Sequence, residues 1–275
     1  MPRKVSSRRD RKDVSECIIF LGTGGARIVV AKQVRASGGM WVAINGTNLL
    51  LDPGPGCLVK SRTRKEKLDA TKLDAILLSH KHLDHSGDVN TMIEAMTDGG
   101  FRPKGMLFAP AECLESDPVV LRYVRDYVDE IHELREGGHY TIGRVTVSTP
   151  IRHQHGNAET YGMVLTPSGQ GPSVAYIADT RYFPELADAY RGDILILNVV
   201  FLTKRDYDHL CVEDALKLIR AIQPKLAVIT HFGMTVIRAK PWEVAAELES
   251  AAGTRVIAAR DGMTLDLHLE SEPTA

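Results

Sequence analysis

Apolar residues along this chain gather in short runs divided by glycine, proline and asparagine, a pattern that predicts more strands than helices. The run CIIFL at 17–21 is the first, and it ends at the turn Gly22-Thr-Gly-Gly25. Runs at 40–44 and 48–51 flank Asn45-Gly46, a hairpin signal, and the second stops at Asp52-Pro-Gly-Pro-Gly56. Further strands are expected at 72–79, 106–109, 141–149, 161–166, 173–178, 193–200 and 225–230, with closing strands within 254–269. Val89, Met92, Ile93 and Met96 fall at helical spacing, and helical patterns recur at 119–128, 212–222 and 241–252. The strands come in two sets, each accompanied by helices. The predicted fold class is therefore α/β, an αββα sandwich of two mixed sheets with helices outside.

The glycine turn at 22–25 is not a dinucleotide fingerprint, because Ala26-Arg-Ile-Val-Val-Ala is no phosphate-binding helix start and the third glycine is misplaced. With 275 residues and 44% hydrophobic content, one large domain over 17–275 is the expectation. Residues 1–16 carry Arg3, Lys4, Arg8, Arg9, Arg11 and Lys12 with almost no apolar content, which predicts a basic, flexible arm. Charge then narrows the partners. Lys and Arg total 34 against 35 Asp and Glu, so no global field draws the protein to nucleic acid or an anionic membrane. Cys17, Cys57, Cys113 and Cys211 are far apart and form no Cys-x-x-Cys pair, which argues against a disulfide framework or a thiolate metal site. No apolar run has the length of a membrane helix and the start is not signal-like, so a cytoplasmic location is expected.

The chemistry concentrates at Ser79-His80-Lys81-His82-Leu83-Asp84-His85, where four potential metal ligands follow one apolar strand. His80 and His82 differ by two positions, so on extended chain both imidazoles face one side and can share a metal. Beyond them the chain turns, which lets Asp84 and His85 reach a neighbouring position. One short segment thereby serves two cations at the separation that two-metal hydrolytic sites use.

His-x-His-x-Asp-His at a strand end resembles the motif of the metallo-β-lactamase superfamily, and the resemblance extends over residues 17 to 233. It implies a later histidine ligand, for which His153 and His155 are both candidates, His155 being favoured by the loop that follows it. It implies a bridging aspartate at Asp179, after the run VAYIA, and a last histidine at His231, after LAVIT. On that pattern His80, His82 and His155 would hold one divalent ion, and Asp84, His85 and His231 a second, with Asp179 between them. Imidazole and carboxylate donors suit zinc and also admit manganese or iron. Two cations sharing a water lower its pKa towards neutrality and supply a hydroxide for attack on phosphorus or a carbonyl carbon.

Within the superfamily, Asp206-Tyr-Asp-His209-Leu before the helix at 212–222 resembles the branch of ribonuclease Z and cyclic phosphodiesterases. The resemblance implies a metal-dependent phosphodiesterase in which Asp84 and His209 are catalytic, His209 as general acid to the leaving oxygen. Lys204, Arg205 and Arg181 are candidate phosphate-facing cations. No long basic insertion is visible, and with a balanced charge a small or cyclic nucleotide-like diester is favoured over RNA. A thioesterase or lactonase, or a non-catalytic metal-dependent structural or sensing protein, are the alternatives. Homodimerisation is a further expectation from the branch.

Overall fold

Side chains alternate across a strand, so a run apolar at every position is stable only when both faces are covered. This chain meets that condition with four layers. The computed structural model describes residues 16–65, 67–115 and 117–268; apart from Glu16, the predicted basic arm lies outside them.

The strands are β1 (Cys17–Phe20), β2 (Met40–Ile44), β3 (Thr47–Leu51), β4 (Ala75–Leu77), β5 (Met106–Pro110), β6 (Glu130–Leu134), β7 (Gly138–Ile142) and β8 (Val145–Thr149). They continue with β9 (Met163–Pro167), β10 (Val174–Ile177), β11 (Ile194–Phe201), β12 (Leu210–Cys211), β13 (Leu226–Thr230), β14 (Val256–Ala258) and β15 (Thr264–Asp266). One sheet runs in the order β15-β1-β2-β3-β4-β5-β6, the other β14-β13-β11-β10-β9-β8-β7, with β12 on β11. Both are mixed: antiparallel pairs build one half of each, and the parallel pairs β3–β4, β4–β5, β10–β11 and β11–β13 build the other.

Alternate residues sort the runs into cores. Met40, Val42 and Ile44 of β2 and Ile194 and Ile196 of β11 meet between the sheets. Trp41 and Ala43 turn outwards onto Val89, Met92, Ile93 and Met96 of the helix Val89–Met96. Leu195, Leu197 and Val199 turn outwards onto Ala215, Leu218 and Ile219 of the helix Val212–Ile222 and Val244 and Leu248 of Pro241–Ala252. The chain adopts the expected αββα sandwich of two mixed sheets. Among the described residues no helix is long and apolar enough to cross a membrane.

Several local expectations need correction. The segment 141–149 is not one strand but the hairpin β7–β8, because Gly143 takes φ 54° and reverses the chain between Ile142 and Val145. The apolar spacing at 119–128 yields only the 3₁₀ helix Arg122–Tyr127, after which β6 adds an edge strand that the pattern did not announce. The helices Arg27–Lys32 and Cys57–Thr63 were also unsignalled, since most of their side chains face solvent and carry no apolar stripe. The closing run divides: β14 joins the second sheet and β15 the first. Asp261, in the turn between them, accepts from Thr23 and from the Ala36 N–H and ties the chain end to the glycine turn.

Ile196 is fully enclosed between the sheets. Its replacement by alanine is expected to lower unfolding stability by about 2–5 kcal/mol in a urea titration, the cost of a core cavity. A loss well under 1 kcal/mol would show that the inter-sheet layer is loosely packed.

Candidate metal centre

The carboxyl ends of the parallel strands converge on one rim of the sandwich, and the ligand-type residues sit there. Beyond β4 the apolar run ends at Leu78, and Ser79 to His82 lead into the single-turn helix Leu83–Ser86. Ser86 Oγ donates to the carbonyls of Lys81 at 2.9 Å and His82 at 3.1 Å, which holds the reversal. A Cβ at Gly54 would overlap the carbonyl oxygens of Asp84 and Ser37, so the Pro-Gly-Pro-Gly run lets this turn pass close to β3. Asp179 follows β10, and His231 follows β13 with φ 59°, a left-handed backbone uncommon outside glycine. The His231 ring rests on Gly25, where any Cβ would overlap it. The glycine turn at 22–25 is therefore a seat for a histidine.

Among the described residues four overlapping sets of ligand atoms result, each with its members within 4.8 Å of one another. They are His80, His82 and His155; Asp84, His85 and His231; His80, His85 and Asp179; and His155, Asp179 and His209. His82 Nδ1 lies 2.9 Å from His80 Nε2 and 3.0 Å from His155 Nε2, so three imidazole nitrogens meet at one point. Asp179 joins the sets: Oδ1 is 3.2 Å from His231 Nε2, and Oδ2 is 3.4 Å from His85 Nε2 and 3.8 Å from His155 Nε2. Asp84 Oδ2 lies 3.7 Å from His231 Nε2. All seven residues expected as ligands are thus brought together. His153 stands apart, with Nδ1 3.2 Å from the Asp179 carbonyl and its ring against Tyr190. His209 enters from the β11–β12 connection, its Nδ1 3.6 Å from Asp179 Oδ2. Of the candidate phosphate-facing cations, Arg181 is paired with Asp208 at 2.7 Å, while Lys204 and Arg205 are exposed.

An outer shell fixes the inward nitrogens. His80 Nδ1 lies 3.0 Å from Ser79 Oγ, His85 Nδ1 3.0 Å from Asp52 Oδ2, and His155 Nδ1 2.9 Å from the Asp208 carbonyl. With one ring nitrogen engaged by oxygen, the other is left with its lone pair inwards, the arrangement metal-ligating histidines use. Asn198 donates to Asp179 Oδ1 at 2.9 Å and to the Tyr176 hydroxyl at 3.2 Å, and Tyr176 donates to Asp52. Asp52, Asn198 and Asp208 were not anticipated as parts of the site. A signal existed for Asn198, the one amide in the apolar run of β11, and for Asp52, a carboxylate closing a strand before Pro-Gly-Pro-Gly.

Electrostatics follow burial. Burial, reinforced by His85, holds His80 well below the usual imidazole range. Burial also lowers His82, and it pushes His209 and His153 down to about 4. For His85 burial acts in the same direction, yet Asp179, Asp52 and Asp84 outweigh it and raise the ring. For Asp179 burial opposes ionisation, but His231, His209 and His85 hold its carboxyl well below the usual range. The site thus combines imidazoles held unprotonated at His80 and His82 with an ionised carboxylate at Asp179, the form in which these groups bind metal, whereas the carboxylates around His85 favour a proton there that a metal would displace. Buried His85 Nε2, His231 Nε2 and His209 Nδ1 have no hydrogen-bond partner. Each such orphan costs about 1–3 kcal/mol unless something inside the ring of residues engages it. A cation fits that demand, and the residues can hold one.

Comparison with known proteins agrees with this geometry. The family described as the beta-lactamase superfamily domain matches residues 47–232. An uncharacterised protein of Methanocaldococcus jannaschii is 30% identical over 258 residues, which cover 91% of this chain and 94% of that protein. A ribonuclease Z of Methanopyrus kandleri is 27% identical over 181 residues, 64% of this chain and 58% of that one. The solved structure of a diphosphatase from the PhnP family superposes with a TM-score of 0.67 at 21% identity, covering 90% of this chain and 96% of that one. The chain accordingly belongs to the β-lactamase superfamily, among the metal-dependent hydrolases built on the metallo-β-lactamase fold.

Proposed function

We propose that this chain is a binuclear metal-dependent phosphodiesterase acting on a small or cyclic nucleotide-like diester. The observation that carries the reading is His209, an additional imidazole beside the seven ligand-type residues, whose unpartnered Nδ1 faces Asp179 Oδ2 at 3.6 Å. His80, His82 and His155 would hold one cation, Asp84, His85 and His231 the other, and Asp179 would lie between them. Bound zinc, or manganese or iron in its place, would acidify a shared water and neutralise charge on the diester.

The chain's own groups do the rest. Asp52, Ser79 and Asn198 keep the inward atoms aimed, so little rearrangement is needed when substrate enters. His209, held down to about 4 by burial in the free site, would take up a proton as the anionic diester enters beside it, pass that proton to the leaving oxygen as the phosphorus–oxygen bond breaks, and regain one from solvent. An alkoxide leaving group needs that proton far more than a thiolate does, which favours a phosphodiester over a thioester. A ribonuclease and a diphosphatase, by their names, act at phosphorus–oxygen bonds, which supports the same choice. The net charge of −1 favours a small diester over folded RNA.

Three outcomes are expected. Elemental analysis of the purified protein should find about two divalent ions per chain, and Asp179→Ala should leave at most one. His209→Ala should keep its metal but lose about 10²–10⁴-fold in kcat on a diester with an alkoxide leaving group, such as a 2′,3′-cyclic nucleotide, and much less on bis-p-nitrophenyl phosphate, whose leaving group needs little protonation; unchanged cleavage of the alkoxide diester, or faster turnover of thioester or lactone by the parent protein, sinks the assignment. Asp52→Asn should weaken metal affinity about 10–100-fold in a chelator competition, because His85 loses the charge that orients it.

A further inference from the structure

The connection from β11 to β12 carries more than His209. Both of its ends are anchored. Near the start, the Leu202 N–H donates to Thr235 Oγ1 at 3.1 Å. Near the end, Asp208 Oδ2 accepts from the Gly156 N–H at 2.8 Å, its Oδ1 from Arg181 Nε at 2.7 Å, and its carbonyl faces His155 Nδ1 at 2.9 Å. Residues 202–207 between these anchors are exposed. Tyr207 directly precedes the Asp208 anchor and its carbonyl accepts from the His209 N–H at 2.8 Å, so its backbone is held against the site.

An exposed tyrosine by itself means little. This one begins a line of rings. Its ring, on a residue 71% exposed, lies 6.0 Å from Phe201 at an interplanar angle of 33°. Phe201 lies 5.9 Å from His209, and His209 lies 4.8 Å from His155 inside the metal cluster. The free face of Tyr207 is therefore two ring-to-ring steps from the imidazole assigned to the leaving oxygen. Lys204 and Arg205 are exposed within the same connection, and Arg181 is neutralised by Asp208. An aromatic face next to cationic side chains is the combination that holds a base by stacking and a phosphate by charge.

We propose that Tyr207 stacks on the planar base of the substrate, so that the preferred diester carries a nucleobase. The inference rests on the phosphodiesterase reading and narrows it. The phosphorus would sit at the metal cluster, with the base laid along the Tyr207 face. Every base offers a π-face, so stacking of this kind tolerates all four bases and discriminates only against substrates that lack one.

The test compares adenosine 2′,3′-cyclic phosphate with 1-O-methylribose 2′,3′-cyclic phosphate, which share the scissile bonds and differ in the base. The metal-loaded parent protein should cleave the adenosine compound with the higher kcat/KM. Tyr207→Ala should raise its KM about tenfold, leave kcat unchanged, and not alter turnover of the base-free compound. Tyr207→Phe, which keeps the aromatic face, should restore the KM. Equal effects of Tyr207→Ala on both compounds, no preference in the parent, or failure of phenylalanine to rescue would each overturn the stacking role while leaving the phosphodiesterase reading in place. Cleavage of neither compound by metal-loaded protein would bring down both.

Discussion

One buried carboxylate, Asp52, holds the site together from beneath. It accepts from the Ser79 N–H at 2.6 Å, from Ser79 Oγ at 2.8 Å and from the Tyr176 hydroxyl at 2.8 Å, and faces His85 Nδ1 at 3.0 Å. These bonds connect the end of β3 with the histidine segment after β4 and with β10 of the opposite sheet. A charged group taken out of water must be matched by such partners, because in a low dielectric each missing one costs far more than at the surface. The same carboxylate therefore joins the two sheets at the rim and orients a metal-facing ring.

Above that base the site is assembled by backbone conformation as much as by side-chain chemistry. His231 can lie where it does because its own φ is positive and because Gly25 leaves room beneath the ring. Gly54 does the same for the turn carrying Asp84. These positions give the glycine-rich turns that border the functional rim a steric reason, since they make room for a ligand-type ring and for the backbone that carries another. They also place irregular, space-limited segments at the carboxyl ends of parallel strands, where open α/β sheets leave their ligand crevices.

The division of labour between fold and substrate choice follows from this arrangement. Most ligand-type residues follow the ends of strands, and His85 and Asp179 are held by hydrogen bonds to the buried side chains of Asp52 and Asn198. The residues assigned to the leaving group and the base come from the β11–β12 connection, which touches the rest mainly through Asp208 and Thr235. A loop held at its ends can change its exposed tip without disturbing the cluster below, which is how one superfamily supports many chemistries on one fold.

The amino-acid sequence by itself determined the class of fold and the short-range part of the site. Fully apolar strand runs specify sheets covered on both faces, and the spacing of His80, His82, Asp84 and His85 places four potential ligands in one turn of chain. Asp179 and His231 were legible only through their order along the chain, since a strand-end aspartate or histidine has no local signature. Between His153 and His155, two residues of like type on one segment, the loop that follows favoured His155 without excluding the other; in the folded chain His155 faces His82 and His153 turns to Tyr190. Asp52, Asn198 and Asp208 likewise gain their parts from contacts across 33, 19 and 53 residues, to His85, Asp179 and His155 respectively. Periodicity reports which face of an element is buried, but not which distant group it meets there, and so the outer shell of the site belongs to the tertiary structure alone.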